Sequence, residues 1–275
     1  MSNPAKPRRS PAQIAAMARS HTGRTALVLA IVAVIALGFA PFGVREAMFD
    51  LDYAVAVVAA TWAWNLALLG AILGVLALLL ALAVPPRRGF VMPLLALLLA
   101  GGVIYGVTRL QALVAAHPPV HDVATDWADP LIFGASMTAS RGTGANPVQR
   151  APRVGIQPFD AALEGDLVSE VNARTCPGAT PLTIPLTTDA AFDRAKAAIE
   201  ADGLTIVTEN RLGGRIEATG EHPQLRLKHD VLARVQAEGE GARVDFRSVS
   251  RTGEIDLGEN CARVTRLRAG TESQS

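Results

Sequence analysis

The chain has 275 residues, half of them apolar, with 26 Lys and Arg against 25 Asp and Glu. That near-neutral total averages two unlike parts: nine basic and three acidic residues up to Val114, then seventeen basic and twenty-two acidic ones from His117 onward. The acidic second part argues against nucleic acid as a partner, because phosphate binding needs a surplus of Lys and Arg on one face.

Residues 1–25 form a basic tail with Lys6, Arg8, Arg9, Arg19 and Arg24 and no acidic residue. Three apolar runs follow, Ala26 to Gly43, Tyr53 to Val84 and Phe90 to Thr108. About 20 such residues cross a bilayer as a helix, so the first and third runs predict crossings at 26–43 and 90–108 within a transmembrane region over 26–110. The middle run is too long for one upright crossing and too short for two. Its span is placed at 64–84, with Trp62 and Trp64 as interfacial anchors and Tyr53 to Thr61 as a helical extension at the surface. Asn65 marks a helix contact or, as the blander reading, a solvated polar residue near the interface. Gly38-Phe39-Ala40 offers small residues to a signal peptidase, but Pro41 follows directly and two more apolar runs come after, which favours an uncleaved anchor.

Positive charge in short loops stays on the cytoplasmic side. The tail is basic, the first loop sets Arg45 against Glu46, Asp50 and Asp52, and the second loop reads Pro85-Pro86-Arg87-Arg88. All three predict a cytoplasmic N-terminus and an outward C-terminal part, which in a Gram-negative cell is a periplasmic domain on the inner membrane. The lipid bilayer is then one partner.

Pro118-Pro119 ends the third helix, and residues 111–150 read as an extended linker and loop, rich in Gly, Ser and Thr near Gly134 to Pro147. Residues 151–275 read as a soluble α+β domain, a mostly antiparallel sheet with two packing helices. Leu182 to Leu186 is a short strand. Asp189 to Asp202 is a helix with Thr188 as N-cap, an apolar face of Phe192, Ala195, Ala198 and Ile199, and Gly203 as its stop. Strands are expected at Leu204 to Thr208, Arg215 to Thr219, Leu225 to Val235 and Ala242 to Val249, turning at Gly213-Gly214 and Gly239-Glu240-Gly241. A last helix is expected from Leu257 to about Arg268, with Asp256 and Glu259 spaced as a capping box.

Two stretches, Pro118-Pro119-Val120-His121-Asp122-Val123-Ala124-Thr125-Asp126 and the Arg-Ser-x-Ser-Arg-x-Gly-x-x-Asp-x-Gly-x-Asn run from Arg247 to Asn260, resemble the bacterial family known as domain of unknown function 1499. Members that look like this chain often carry hydrophobic helices ahead of the domain. This sequence departs from the family pattern around Leu227-Lys228-His229-Asp230, where the family has an aromatic residue and paired acids. The resemblance implies a domain but no activity.

On the residues alone, strand alternation puts Arg247 and Arg251 on one face with Asp245 and Val249, and Phe246, Ser248 and Ser250 on the other. Two arginines beside a helix N-terminus suit a carboxylate or phosphate, which makes Arg247, Ser250, Arg251, Asp256 and Asn260 the candidate ligand-binding set. The competing reading pairs both arginines with Asp256 or Glu254 as a structural corner. His117, His121, Asp122 and Asp126 have metal-ligand chemistry, but the stiff Pro-Pro stretch does not converge them on one point, so no metal is expected. There, Asp122 and Asp126 are expected to bond local amides. No catalytic motif is recognisable: Gly-x-Ser-x-Gly is absent and the glycine pairs are hairpin turns, so no cofactor is expected. The sequence supports a membrane-tethered envelope domain that binds a small anion, a lipid headgroup or an envelope protein; the alternative is an envelope hydrolase with its site near Arg247 to Arg251.

The only two cysteines are Cys176 and Cys261. An oxidising compartment and an even count favour a bridge between them; two buried apolar thiols are the other reading.

Overall fold

A computed structural model describes residues 10–156 and 159–273, and the expectations for Lys6, Arg8 and Arg9 lie outside them. The chain divides into two compact units, one of residues 1–42 and 53–111, the other of residues 43–52 and 112–275.

The first unit is built on three helices long and apolar enough to cross a membrane, within Pro11–Arg45, Leu51–Ala83 and Val91–Ala115. We label them α1 (Pro11–Arg45), α2 (Leu51–Tyr53) continuing through a π-helical stretch, Ala54–Ala63, into α3 (Trp64–Ala83), and α4 (Val91–Ala115). The middle run thus forms one continuous helix, and the stretch expected as a helical extension is its first part. Thr61 Oγ1 donates to the Ala56 carbonyl at 2.8 Å, five residues back, and Asn65 Nδ2 donates to the Thr61 carbonyl at 2.7 Å, so Asn65 satisfies its own helix. Small residues let these helices approach closely where lipid supplies no hydrophobic drive. Ala26, Ala30, Ala33, Ala67 and Ala100 are buried, and a Cβ on Gly70 would meet Ala26 O and Ala30 N at 3.2 Å. Arg19 Nη1 donates to the carbonyls of Val84 and Pro86 beyond the end of α3.

The second unit is α+β, as the alternation of its strands predicts. Its elements are β1 (Asp122–Ala124), α5 (Ala135–Arg141), α6 (Val168–Thr175), β2 (Leu182–Ile184), α7 (Thr188–Ala201), β3 (Thr205–Asn210), β4 (Arg215–Glu221), β5 (Lys228–Glu238), β6 (Gly241–Ser250) and α8 (Glu259–Ser273). The sheet is antiparallel, in the order β1-β6-β5-β4-β3, with β2 also paired to β6. The stretch read as a linker therefore supplies a strand: Asp122, Val123 and Ala124 lie opposite Val249, Ser248 and Arg247. That stretch was expected to be extended, but its pairing was not legible, because an extended segment carries no local sign of the strand it will meet.

One sheet face carries Ile216, Val231, Ala233, Val244 and Phe246 against Phe192 and Ile199 of α7 and Val264 and Leu267 of α8. Thr187, not Thr188, caps α7, accepting from Ala190 N at 3.3 Å. The last helix opens at Glu259 instead of Leu257, because Leu257 and Gly258 both take left-handed backbone angles, φ 55° and 83°. The Asp256 carboxylate accepts from Gly258 N and Asn260 N, both at 2.8 Å, while Glu259 turns to Arg263 and Arg266 and closes no capping box. Cys176, at the end of α6, is bonded to Cys261 of α8 with a Cα separation of 5.8 Å.

Candidate functional site

The second sheet face is a layer of charge beneath residues 125–156. Leu131, Phe133 and Met137 pack with Leu232 and Val249 of the sheet there and keep water from the ions below. Beside the Arg215–Glu217 pair at its β4 edge, three clusters occupy the layer. Arg247 forms a fork with Asp122, its Nε 2.9 Å from one carboxylate oxygen and its Nη2 2.5 Å from the other. Arg234 and Arg243 share Asp126 and Asp245, with Arg234 reaching Asp129 as well. Burial alone would raise the Asp126 carboxyl, but the amides of Asp129 and Ala128 and the two guanidinium groups hold it below its ordinary value. In the third cluster Arg141 and Arg251 share the fully buried Asp230, at 2.5 to 2.8 Å.

Arg247 is not open to a ligand. It is fully buried, its remaining donors go to the carbonyls of Leu131 and Gln149, and its guanidinium stacks 5.0 Å over the Trp127 ring. The structural pairing weighed in the sequence exists, but with Asp122 and Asp230 as the carboxylates instead of Asp256 and Glu254; only the sheet register brings them opposite. Asp122 meets an arginine, not local amides, whereas Asp126 does accept from Ala128 N and Asp129 N. Asn260 is also fully buried, tying Ser248 and Ser250 to the His121 carbonyl. Burial pushes the Asp256 carboxyl up, and the Gly258 and Asn260 amides oppose that. Of the candidate set, Arg251 and Ser250 reach open clefts, and the half-buried Asp256 also borders one.

The larger cleft, of about 600 Å³, is lined by Val44, Arg45, Ala47, Phe49, Asp50, Ser140, Arg141, Arg226, Lys228 and Arg251, among others. Five of these residues are cationic, and Asp50 is the acid among the lining residues. Arg45 lies 3.6 Å from Glu46 and Arg226 3.1 Å from Glu221, both exposed pairs. Lys228 is exposed and forms no ion pair among the described residues. Since Arg141 and Arg251 share one carboxylate, the floor keeps a net positive charge. Sequence reasoning found Arg251 but missed Arg45, Arg141, Arg226 and Lys228. Nothing local announces them: Arg45 is 181 positions from Arg226, and Lys228 fell where the family pattern breaks. A second cleft of about 150 Å³ shares Leu227, Lys228 and Thr252 with the first and continues to His229, Ser250 and Asp256.

A family model described as protein of unknown function (DUF1499) matches residues 122–270, more than half of the chain. The chain belongs to this family. The DUF1499 match opens at Asp122, the partner of Arg247, and closes within α8, so the sheet, α7, most of α8 and the ionic layer fall inside it. The cleft wall contributed by residues 44–50 lies outside the DUF1499 match. No curated protein matches the chain.

Proposed function

We propose that this is a bacterial inner-membrane protein with three crossings and a periplasmic domain that binds a small anion in the cationic cleft. The orientation rests on the basic tail and the Arg87-Arg88 loop against the acidic first loop. The binding reading rests on one observation: two arginines sharing Asp230, with an exposed Lys228 beside them, line a cleft of about 600 Å³. Such a volume lies within the range of about 300–1,000 Å³ usual for small-molecule sites, and guanidinium donors suit carboxylate and phosphate oxygens.

A hydrolase acting through Ser250 has less behind it. His229 is its cross-strand neighbour, but burial and then Arg263 hold that imidazole down at about 4, a weak base near neutral pH. The test is thermal unfolding of the full chain in detergent with inorganic phosphate, sulfate and short carboxylates. An anion that raises the midpoint for the wild type but not for Lys228→Glu supports the site; no shift with any of them removes it.

A further inference from the structure

We propose that the occupant of the cleft is the phosphate headgroup of an anionic phospholipid from the bilayer that holds the chain; this rests on the anion site proposed above and names its ligand. The first ground is chain connectivity. Val44 and Arg45 close α1, Leu51 opens the next apolar helix, and Ala47, Phe49 and Asp50 lie on the short link between them. A link between two consecutive membrane crossings returns the chain within a few residues, so it stays at the water–bilayer boundary whichever way the helices point. The wall of the cleft that carries Arg45 is therefore tethered at headgroup depth.

The second ground is the lining itself. A free inorganic anion uses donors alone, yet this cleft sets Arg226, Lys228 and Arg251 beside Val44, Phe49 and Leu227. Met48, on the same link, is 60 % exposed, an apolar side chain facing outward at a boundary where lipid covers such groups. Cationic donors next to an apolar wall match a molecule that carries its phosphate on a hydrocarbon body, as amphipathic ligands do. The phosphodiester charge meets Lys228 and the uncompensated charge of the Arg141 and Arg251 pair, which a zwitterionic headgroup answers less well because it brings its own cation.

The experiment uses the full chain in detergent, with native mass spectrometry and thermal unfolding as readouts and three probes: dioleoyl phosphatidylglycerol, dioleoyl phosphatidylcholine and glycerol 3-phosphate. The expected result is one phosphatidylglycerol bound per chain, with phosphatidylcholine and glycerol 3-phosphate each about tenfold weaker or worse. Lys228→Ala and Arg226→Ala should each weaken phosphatidylglycerol about tenfold, the worth of one charge-assisted hydrogen bond, and Lys228→Arg should restore most of the loss. Glycerol 3-phosphate binding as tightly as the lipid would overturn the lipid assignment and leave the anion site standing. Phosphatidylcholine binding equally well, or phosphatidylglycerol bound undiminished by both alanine variants, would overturn it as non-specific lipid on the helices. Failure of phosphatidylglycerol and glycerol 3-phosphate alike would remove the anion site itself.

Discussion

Arg247 heads the fully buried side chains by volume, and every nitrogen of its guanidinium has a partner. Removing one member of a buried pair leaves the other charge without water or counterion, which costs about 3 to 5 kcal/mol, whereas replacing both with apolar groups is often neutral. Arg247→Met alone should lower the thermal midpoint of the full chain sharply, and Arg247→Met with Asp122→Leu should recover much of it. Equal losses in the single and double variants would show that packing, not charge, makes Arg247 necessary. His229 gives a second residue-level prediction. Its folded value of about 4 lies below the ordinary 6.5, so the unfolded chain takes up the proton first. The stability contribution is complete above about 6.5 and is lost as pH falls through the window down to about 4. The loss is at most about 3 kcal/mol. Midpoints measured from pH 7 to pH 4 should fall for the wild type and fall less steeply for His229→Gln.

At the scale of elements, hairpin chemistry and the disulfide can be probed separately. Gly214, in the turn from β3 to β4, has φ +60°, and a Cβ there would come within 2.0 Å of the Val235 carbonyl. Gly239, in the turn from β5 to β6, has a similar φ of +58° with open space around it. Gly239→Ala should therefore cost only the left-handed strain, about 1 kcal/mol, and Gly214→Ala clearly more; denaturation midpoints of the two variants read the difference. The bridge between Cys176 and Cys261 ties α6 to α8 across a separation of 85 residues. Closing a loop of that length stabilises by at most about 4 to 5 kcal/mol in the chain-entropy model. Chain purified from the envelope and denatured with an alkylating agent should take up two adducts only after reduction; two adducts without reduction would remove the bridge and weaken the outward location with it. The turns at Gly213-Gly214 and Gly239 were legible in sequence because left-handed backbone selects glycine locally. The start of α8 was not, since Leu257 in a left-handed conformation is held by the Asp256 turn and not by its own preference.

For the whole molecule, topology is the exposed prediction: alkaline phosphatase joined after Ser275 should be active and joined after Arg88 inactive, and the reverse pattern would overturn the periplasmic domain. Sequence alone determined the three apolar helices, because about 20 consecutive apolar residues have one stable fate, and it determined strands β2 to β6 and, to within a residue at each end, the helix α7, because their periodicity is a property of neighbours along the chain. It also determined that Phe246 faces the core and that Arg247 and Arg251 share the other face. Only the tertiary structure decided what lies over that other face. Alternation separates polar from apolar positions but does not say whether the polar side meets water, and here Asp122 and Asp126 return from more than a hundred residues away to bury it under matched charge. The cleft was decided in the same way: Arg45, Arg141, Lys228 and Arg251 are scattered along the chain, and Coulomb attraction toward an anion exists only once the fold has put them around one space.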